Sequence, residues 1–534
     1  MAVIAVTVVW ALVVGRHLWF FSDEWNIMGT YPTGNLLEPF NGHLSLVPVA
    51  LYQAIFHTIG VDHYLPFRLL GLAGYALLGW TTWRYGRSVT HPAIAAIAVA
   101  AILWNEGGVT NVLFPFLLNF SIPLAALSAI WWHLDHRTMR HDVAASVWLT
   151  AALATSGLGL MVAVAVGVEL LWSRAPRVRF AVMAPGPVLW LLWYLGYGES
   201  EQRSGDLAAT ATYAAKMLIA GGSSLVGGFK PLGAVVCLGI VGLVVECARR
   251  RILNGRTVGA VLAPVVFAVL TAWSRIGVQP EIPPDELRYR WAVGGFFVLA
   301  VLSLAAALRE LAPAPEGSRP DSFTRSTSVG PVRVGAIALL GVALAVNAVQ
   351  LHRDALEWVD RVETAAPGLR ANLWVAEQAG AAGVVDRDWW MPLSFVRFTA
   401  GDYLDAVERI GSPLDPFAAS DIGGPAEQTG PANAAYVDLF GLELDTTHAA
   451  AASCGDVSTG TAVTVALGTR VRLSAGADAE VLVDLFDVVQ HAAPVGVLRG
   501  GQPAVVDVPA ASGYSPITSL TLHFTGEVAV ARCD

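Results

Sequence analysis

The chain has 534 residues, of which 55% are hydrophobic and 14% charged, with a mean hydropathy of +0.55 and a formal net charge of -9. Soluble globular proteins carry about 25% charged residues, so this composition excludes a disordered chain and an ordinary soluble enzyme and points to an integral membrane protein. The charge is uneven: residues 1–350 hold 23 Lys plus Arg against 18 Asp plus Glu, and residues 351–534 hold 10 against 24.

Two bodies with different solvents are thus expected to join near residue 350, and the acidic balance argues against a nucleic-acid partner. In chain order, apolar stretches of membrane-helix character fall at 1–20, 64–83, 92–105, 116–133, 143–155, 157–172, 180–197, 231–247, 257–273, 291–308 and 334–350. About eleven spans are expected. With a cytoplasmic N-terminus, one set of loops gathers fifteen basic residues, from Arg84 to Arg333, and the opposite short loops hold seven. The positive-inside bias then puts the sparse loops, and everything after residue 350, outside the cell. The first stretch has neither a basic leader nor a small-residue cleavage site and reads as a retained anchor.

Directly after that stretch comes "FFSDEWNIMG". Asp23 and Glu24 are either ordinary acids in water beside a helix end or a general base held at the bilayer surface, Asp23 being nearer the membrane. Downstream, "LLEPFNGHLSLVPVALYQ" suits a helix lying along the interface, with Asn41 and His43 as candidate substrate contacts; a surface role for His43 is the alternative. The second outer loop places Asn105 and Glu106 at one span end and Asn111 and Asn119 before the next, as helix caps or as cavity lining. The loop "AWSRIGVQPEIPPDELRYRWAVGG" breaks the positive-inside pattern with Arg275, Arg288, Tyr289 and Arg290. Guanidinium forks match phosphate oxygens, so these residues are candidate phosphate ligands, against plain snorkelling to head groups.

Residues 311–332 are rich in Pro, Ser and Gly and read as a flexible cytoplasmic linker. The pattern over 351–432 is largely helical; over 433–534 it alternates between turns and is expected to form a β-sandwich. Cys454 and Cys533 bracket this last part. A disulfide between them would suit an oxidising compartment; two buried thiols are the alternative. No Gly-rich phosphate loop, zinc spacing or GxSxG elbow occurs. In "DRDWWMPLSF", Asp388, Trp389 and Trp390 are either sugar contacts or a buried structural pair.

In order and in membrane side, "FFSDEWN", "EPFNGHLSLVPVALYQ", "GGVTNVLFPFLLNFSIPLA" and "WSR" followed by "LRYRW" resemble the GT-C superfamily of integral membrane glycosyltransferases, in its actinobacterial branch with an outer C-terminal domain. The C-terminal part resembles the carbohydrate-binding modules fused to mycobacterial arabinosyltransferases. Phe40 and Gly42 stand where related sequences often carry polar residues. The resemblance implies a polytopic α-helical fold over 1–350 with an extracytoplasmic α+β domain. It also implies inverting transfer of a sugar from a polyprenyl-phosphate donor to a cell-envelope glycan or glycolipid, with Asp23 or Glu24 as base and membrane lipids as surroundings. No cofactor is implied with certainty, and a divalent cation at the adjacent acids is left open. A lipid-linked glycan ligase or polymerase, a transporter and a non-catalytic glycan-binding protein are the competing readings.

Overall fold

The computed structural model describes residues 1–30, 35–198, 206–277, 282–309, 331–383, 385–392, 394, 396, 398–414, 426–449, 453–486, 489–510 and 519–533. Residues 311–330 of the expected linker lie outside these. The chain forms two compact units: Met1–Arg16, Asn35–Tyr52 and Leu65–Val359 in the first, and His17–Gly34, Gln53–Tyr64 and Asp360–Asp534 in the second. The division expected near 350 therefore falls at 359, and the body expected over 1–350 is not continuous. Two pieces of its first loop belong to the C-terminal unit. Their aromatic side chains explain this, since Trp25 packs on Phe398 with ring centroids 5.6 Å apart, a pairing that hydropathy does not report.

The helices, in order, are α1 (Ala2–Val14), α2 (Asp23–Thr30), α3 (Leu46–Thr58), α4 (Leu65–Val89), α5 (Pro92–Leu103), α6 (Val109–Leu113), α7 (Leu118–Asp135), α8 (Met139–Leu153) and α9 (Leu158–Trp172). There follow α10 (Arg177–Met183), α11 (Pro185–Tyr197), α12 (Leu207–Ser223), α13 (Lys230–Arg249), α14 (Gly255–Arg275), α15 (Leu287–Arg309), α16 (Pro331–Ala382), α17 (Ala400–Ile410) and α18 (Ala426–Leu439). Every one of the eleven apolar stretches falls on a helix or a bent helix pair. Among the described residues, four helices are long and apolar enough to cross a membrane, and bent pairs at 92–113 and 177–197 raise the number to six if each is one span. Apolar side chains on α13 stay exposed at Leu232, Val235, Leu238, Val241 and Val245, as suits a helix whose neighbour is hydrocarbon.

Helix α12 was not among the expected spans. Its Ala, Thr and Gly content dilutes hydropathy, yet it packs against α13, α14 and α15. These contacts are backbone-close. A Cβ on Gly222 would fall 2.5 Å from the Gly233 carbonyl oxygen, and one on Gly221 would fall 2.2 Å from the Val293 side chain. Small residues at such crossings let helices approach where lipid supplies no hydrophobic drive.

In the second unit, strands β1 (Cys454–Ala466), β2 (Arg470–Ala475), β3 (Ala479–Asp484), β4 (Ala493–Leu498), β5 (Ala504–Asp507) and β6 (Ser519–Cys533) join in one antiparallel sheet. The part expected as a β-sandwich is thus β-rich, with its strands joined through one hydrogen-bonded network. Long β6 pairs with β1 along one edge and, along the other, with β3 through Thr521–Phe524 and β2 through Val528–Cys533. Alternation of apolar residues reports which face is buried, as in β3 where Val481 and Val483 are fully buried, but not how many strands share a neighbour.

Candidate functional site

Within the first unit the site is built at a broken helix. After α5 the chain turns through Glu106–Gly108 into α6, and the two halves are bent by 54°. Asn105 makes the break: its Oδ1 accepts the Gly107 N–H at 2.9 Å and its Nδ2 donates to Ser224 Oγ at 3.1 Å. Both amide ends are thereby engaged, and Asn105 serves as a cap. Glu106 forms an ion pair with Arg290 at the start of α15. Gly107 and Gly108 permit the approach, because a Cβ on the first would lie 3.0 Å from the Trp291 nitrogen and one on the second 2.9 Å from the Trp291 ring. Arg290, expected to hold phosphate, and Glu106, expected to hold substrate, thus cancel each other's charge.

Arg275, at the end of α14, and Arg288, at the start of α15, differ. Both are half-buried, and among the described residues neither makes a hydrogen bond or an ion pair; Arg288 Nε is buried without a partner. The Arg288 guanidinium carbon lies 5.4 Å from the Tyr289 ring centroid, and Tyr289 is itself buried edge-on to Phe267 at 6.1 Å. Tyr289 therefore belongs to the core and props Arg288 instead of facing a ligand. Nearby in sequence to the helix break, Thr110 Oγ1, both amide atoms of Asn111, Asn119 Oδ1 and Ser121 Oγ are buried without partners among the described residues. Unpaired buried polar groups are costly and mark places where a ligand or water completes the bonding. Thr110 and Ser121 escaped the sequence reading because helical hydroxyls usually bond their own backbone.

"FNGH" is a tight turn. Asn41 and Gly42 both have positive φ, 51° and 74°, and Phe40 and His43 exchange backbone hydrogen bonds of 2.9 and 3.0 Å. Two successive left-handed residues define a type I′ turn, for which Asn-Gly is the preferred pair. Asn41 is accordingly a turn residue, and the Gly42 departure from the related sequences has a conformational cause. His43 retains an accessible surface although protein atoms crowd around it. That crowding, then the charge of Arg275, lower its imidazole pKa to about 4, so it is neutral at pH 7. Its ring also meets Gly157, whose Cβ would lie 3.3 Å away.

Within the second unit, Ser22 has φ 51° and turns the chain into α2, whose first turn carries Asp23 and Glu24. A helix N-terminus favours carboxylates there. Glu24 is fully buried, and its Oε2 accepts the Tyr64 hydroxyl at 2.8 Å and the Phe21 N–H at 3.0 Å. Asp23 is half-buried. Around them, Trp19 packs edge-on to Trp25 at 5.2 Å and Phe20 to Tyr64 at 4.9 Å, and the Arg370 guanidinium rests on Trp19 at 4.6 Å. Burial lowers the Arg370 pKa. Glu24 is committed to Tyr64 and Phe21, and among the described residues no three His, Cys, Asp or Glu side chains are placed to hold an ion.

Elsewhere in this unit, Cys454 and Cys533 are disulfide-bonded across β1 and β6. Trp389 Nε1 donates to Asp438 at 3.3 Å, whereas Trp390 stands 57% exposed. The structure thus gathers Glu106 with Arg290 and His43 with Arg275 in one unit, and Asp23 with Glu24 in the other. No family model, curated protein or solved structure matches the chain.

Proposed function

We propose that the chain is an inverting GT-C-type glycosyltransferase that moves a sugar from a polyprenyl-phosphate donor to a cell-envelope glycan or glycolipid. In this reading about eleven spans hold the enzyme in the membrane, and the β-rich unit lies outside and takes the acceptor, with Trp390 available for stacking on a sugar face. Asp23 removes the proton from the acceptor hydroxyl. The hydroxyl oxygen bonds to the anomeric carbon as the bond to the phosphate oxygen breaks, its electron pair leaving with the lipid phosphate. Arg275 and Arg288 meet that negative charge, already in place before it develops.

The observation that carries this reading is the contrast among the arginines: Arg290 is neutralised by Glu106, while half-buried Arg288 and Arg275 lack any acid partner among the described residues. Half-buried guanidiniums without a counter-ion are open to an incoming anion. Asp23 is favoured over Glu24 as base because Glu24 is fully buried whereas Asp23 is half-buried.

With purified enzyme, lipid-linked sugar and an acceptor glycan, Asp23→Asn should lower kcat by roughly 100-fold or more, the scale of general-base catalysis. Arg288→Gln should impair the same turnover, and Glu24→Gln should act mainly on folding. Transfer at the parent rate by both Asp23→Asn and Arg288→Gln would overturn the assignment.

A further inference from the structure

A second cluster, in the first unit and apart from the residues above, lies where α4 and α7 end and α8 begins. The Arg84 guanidinium sits 3.6 Å from the Trp132 ring centroid. On the same indole pack the rings of His136 at 4.3 Å, His133 at 4.7 Å and His141 at 5.5 Å, and His136 stacks on His141 at 4.2 Å and 17°. Every Nδ1 is engaged: His136 donates to the Trp132 carbonyl at 2.8 Å, and His133 and His141 share one proton across 2.8 Å. Each Nε2 is left over, with no partner among the described residues.

The charge around these rings has one sign. From α4 come Arg84 and Arg87, from the turn Arg137, and from the start of α8 Arg140; among the described residues none of the four makes an ion pair. The neighbouring acids are spent, Asp142 on Arg179 of α10 at 3.0 Å, and Asp135 on Arg256 of α14 at 2.8 Å, which also holds Glu169 of α9 at 2.7 Å. Stacked and edge-packed imidazoles do not converge on one point, which disfavours a metal ion. Imidazole N–H groups beside guanidiniums without an acid partner attract a multivalent anion.

The surface beside the cluster decides which anion. Met139, Val143 and Val147 of α8 are 53%, 48% and 63% exposed and, at four-residue spacing, form an apolar stripe on the helix face that also carries exposed Arg140. A free phosphate has no use for it; an acyl chain does. We propose that this cluster is a binding site for the phosphate headgroup of an anionic membrane lipid, with its guanidiniums and imidazoles on the phosphate and the α8 stripe, beside Arg140, under an acyl chain.

The test measures binding of phosphatidylglycerol, phosphatidylcholine and inorganic phosphate to the full-length protein in detergent, by native mass spectrometry or by the lipid-induced shift in melting temperature. Phosphatidylglycerol should bind in preference to both others. Arg84→Gln should weaken it roughly fivefold, about 1 kcal/mol for one basic group at a membrane surface. His136→Ala, at an exposed position, should weaken it as well by removing an imidazole from the phosphate. Equal binding of phosphatidylcholine, equal binding of inorganic phosphate, or phosphatidylglycerol binding unchanged by both substitutions would overturn the proposal.

Discussion

Arg288 and Arg290 stand two residues apart on one helix and are expected to fail in different ways. The Arg290 side chain is 13% exposed and that of Glu106 6%, so each is the other's counter-ion in a place where water cannot replace it. Removing one partner of such a pair costs about 3–5 kcal/mol because a charge stays buried and alone. Glu106→Gln and Arg290→Met should therefore each lower the melting temperature of the detergent-solubilised protein sharply. The double variant should recover part of the loss, since no lone charge remains. Arg288→Gln removes a cation with no acid partner among the described residues and gives up only a ring contact worth about 0.5–1 kcal/mol. Its melting temperature should stay near that of the parent while KM for lipid-linked donor rises. Equal destabilisation at 288 and 290 would make both arginines structural.

At the scale of elements, the contact between α12 and α13 leaves no room for a side chain. A Cβ at Gly233 would meet the Ile219 carbonyl oxygen at 2.3 Å, and one at Gly222 would meet Gly233 itself, so neither helix can retreat without losing the other. Gly222→Val and Gly233→Val should each destabilise by about 1–3 kcal/mol, the range for overpacking, and more if the helices separate. Gly239→Val is the control, because a Cβ there has nothing within 4 Å. If all three variants melt alike, the close approach contributes no stability. The same contact shows why hydropathy read most helices but not this one. Long apolar runs announce themselves, whereas α12 holds its place by smallness, and smallness reads as low hydropathy. The site was legible in the same uneven way. Asn105 and Glu106 were found as polar residues at a span end, but that one caps a turn and the other answers Arg290 depends on α15, far away in sequence. Asn41-Gly42 carried an explicit turn signal that a search for ligands passed over. Strand alternation gave the six strands' region without revealing that β6 is shared by three of them, because pairing partners are chosen by tertiary structure.

For the whole molecule, the orientation in the membrane and the chemistry stand or fall together, and the cysteines test both. Transfer from a lipid-linked donor needs no nucleotide sugar and so suits the outer face, where the acidic C-terminal unit is expected from the distribution of basic loops. That face is oxidising, and there the bond joining Cys454 to Cys533 would form and last. It closes 79 residues of sequence and ties the first strand of the sheet to the last. In the chain-entropy picture a loop of that length contributes about 4 kcal/mol, enough for reduction to lower the melting temperature of the β-rich unit visibly. The remaining cysteines, Cys237 and Cys247, are free and lie on α13. Membranes collected with thiols blocked at lysis and then denatured without reductant should therefore yield protein alkylated at two positions, and at four only after reduction. Alkylation at all four without reductant would put the C-terminal unit in a reducing compartment. A sugar donor carried outward on a prenyl lipid would then have no place in the reaction, and Asp23 would need a different acceptor.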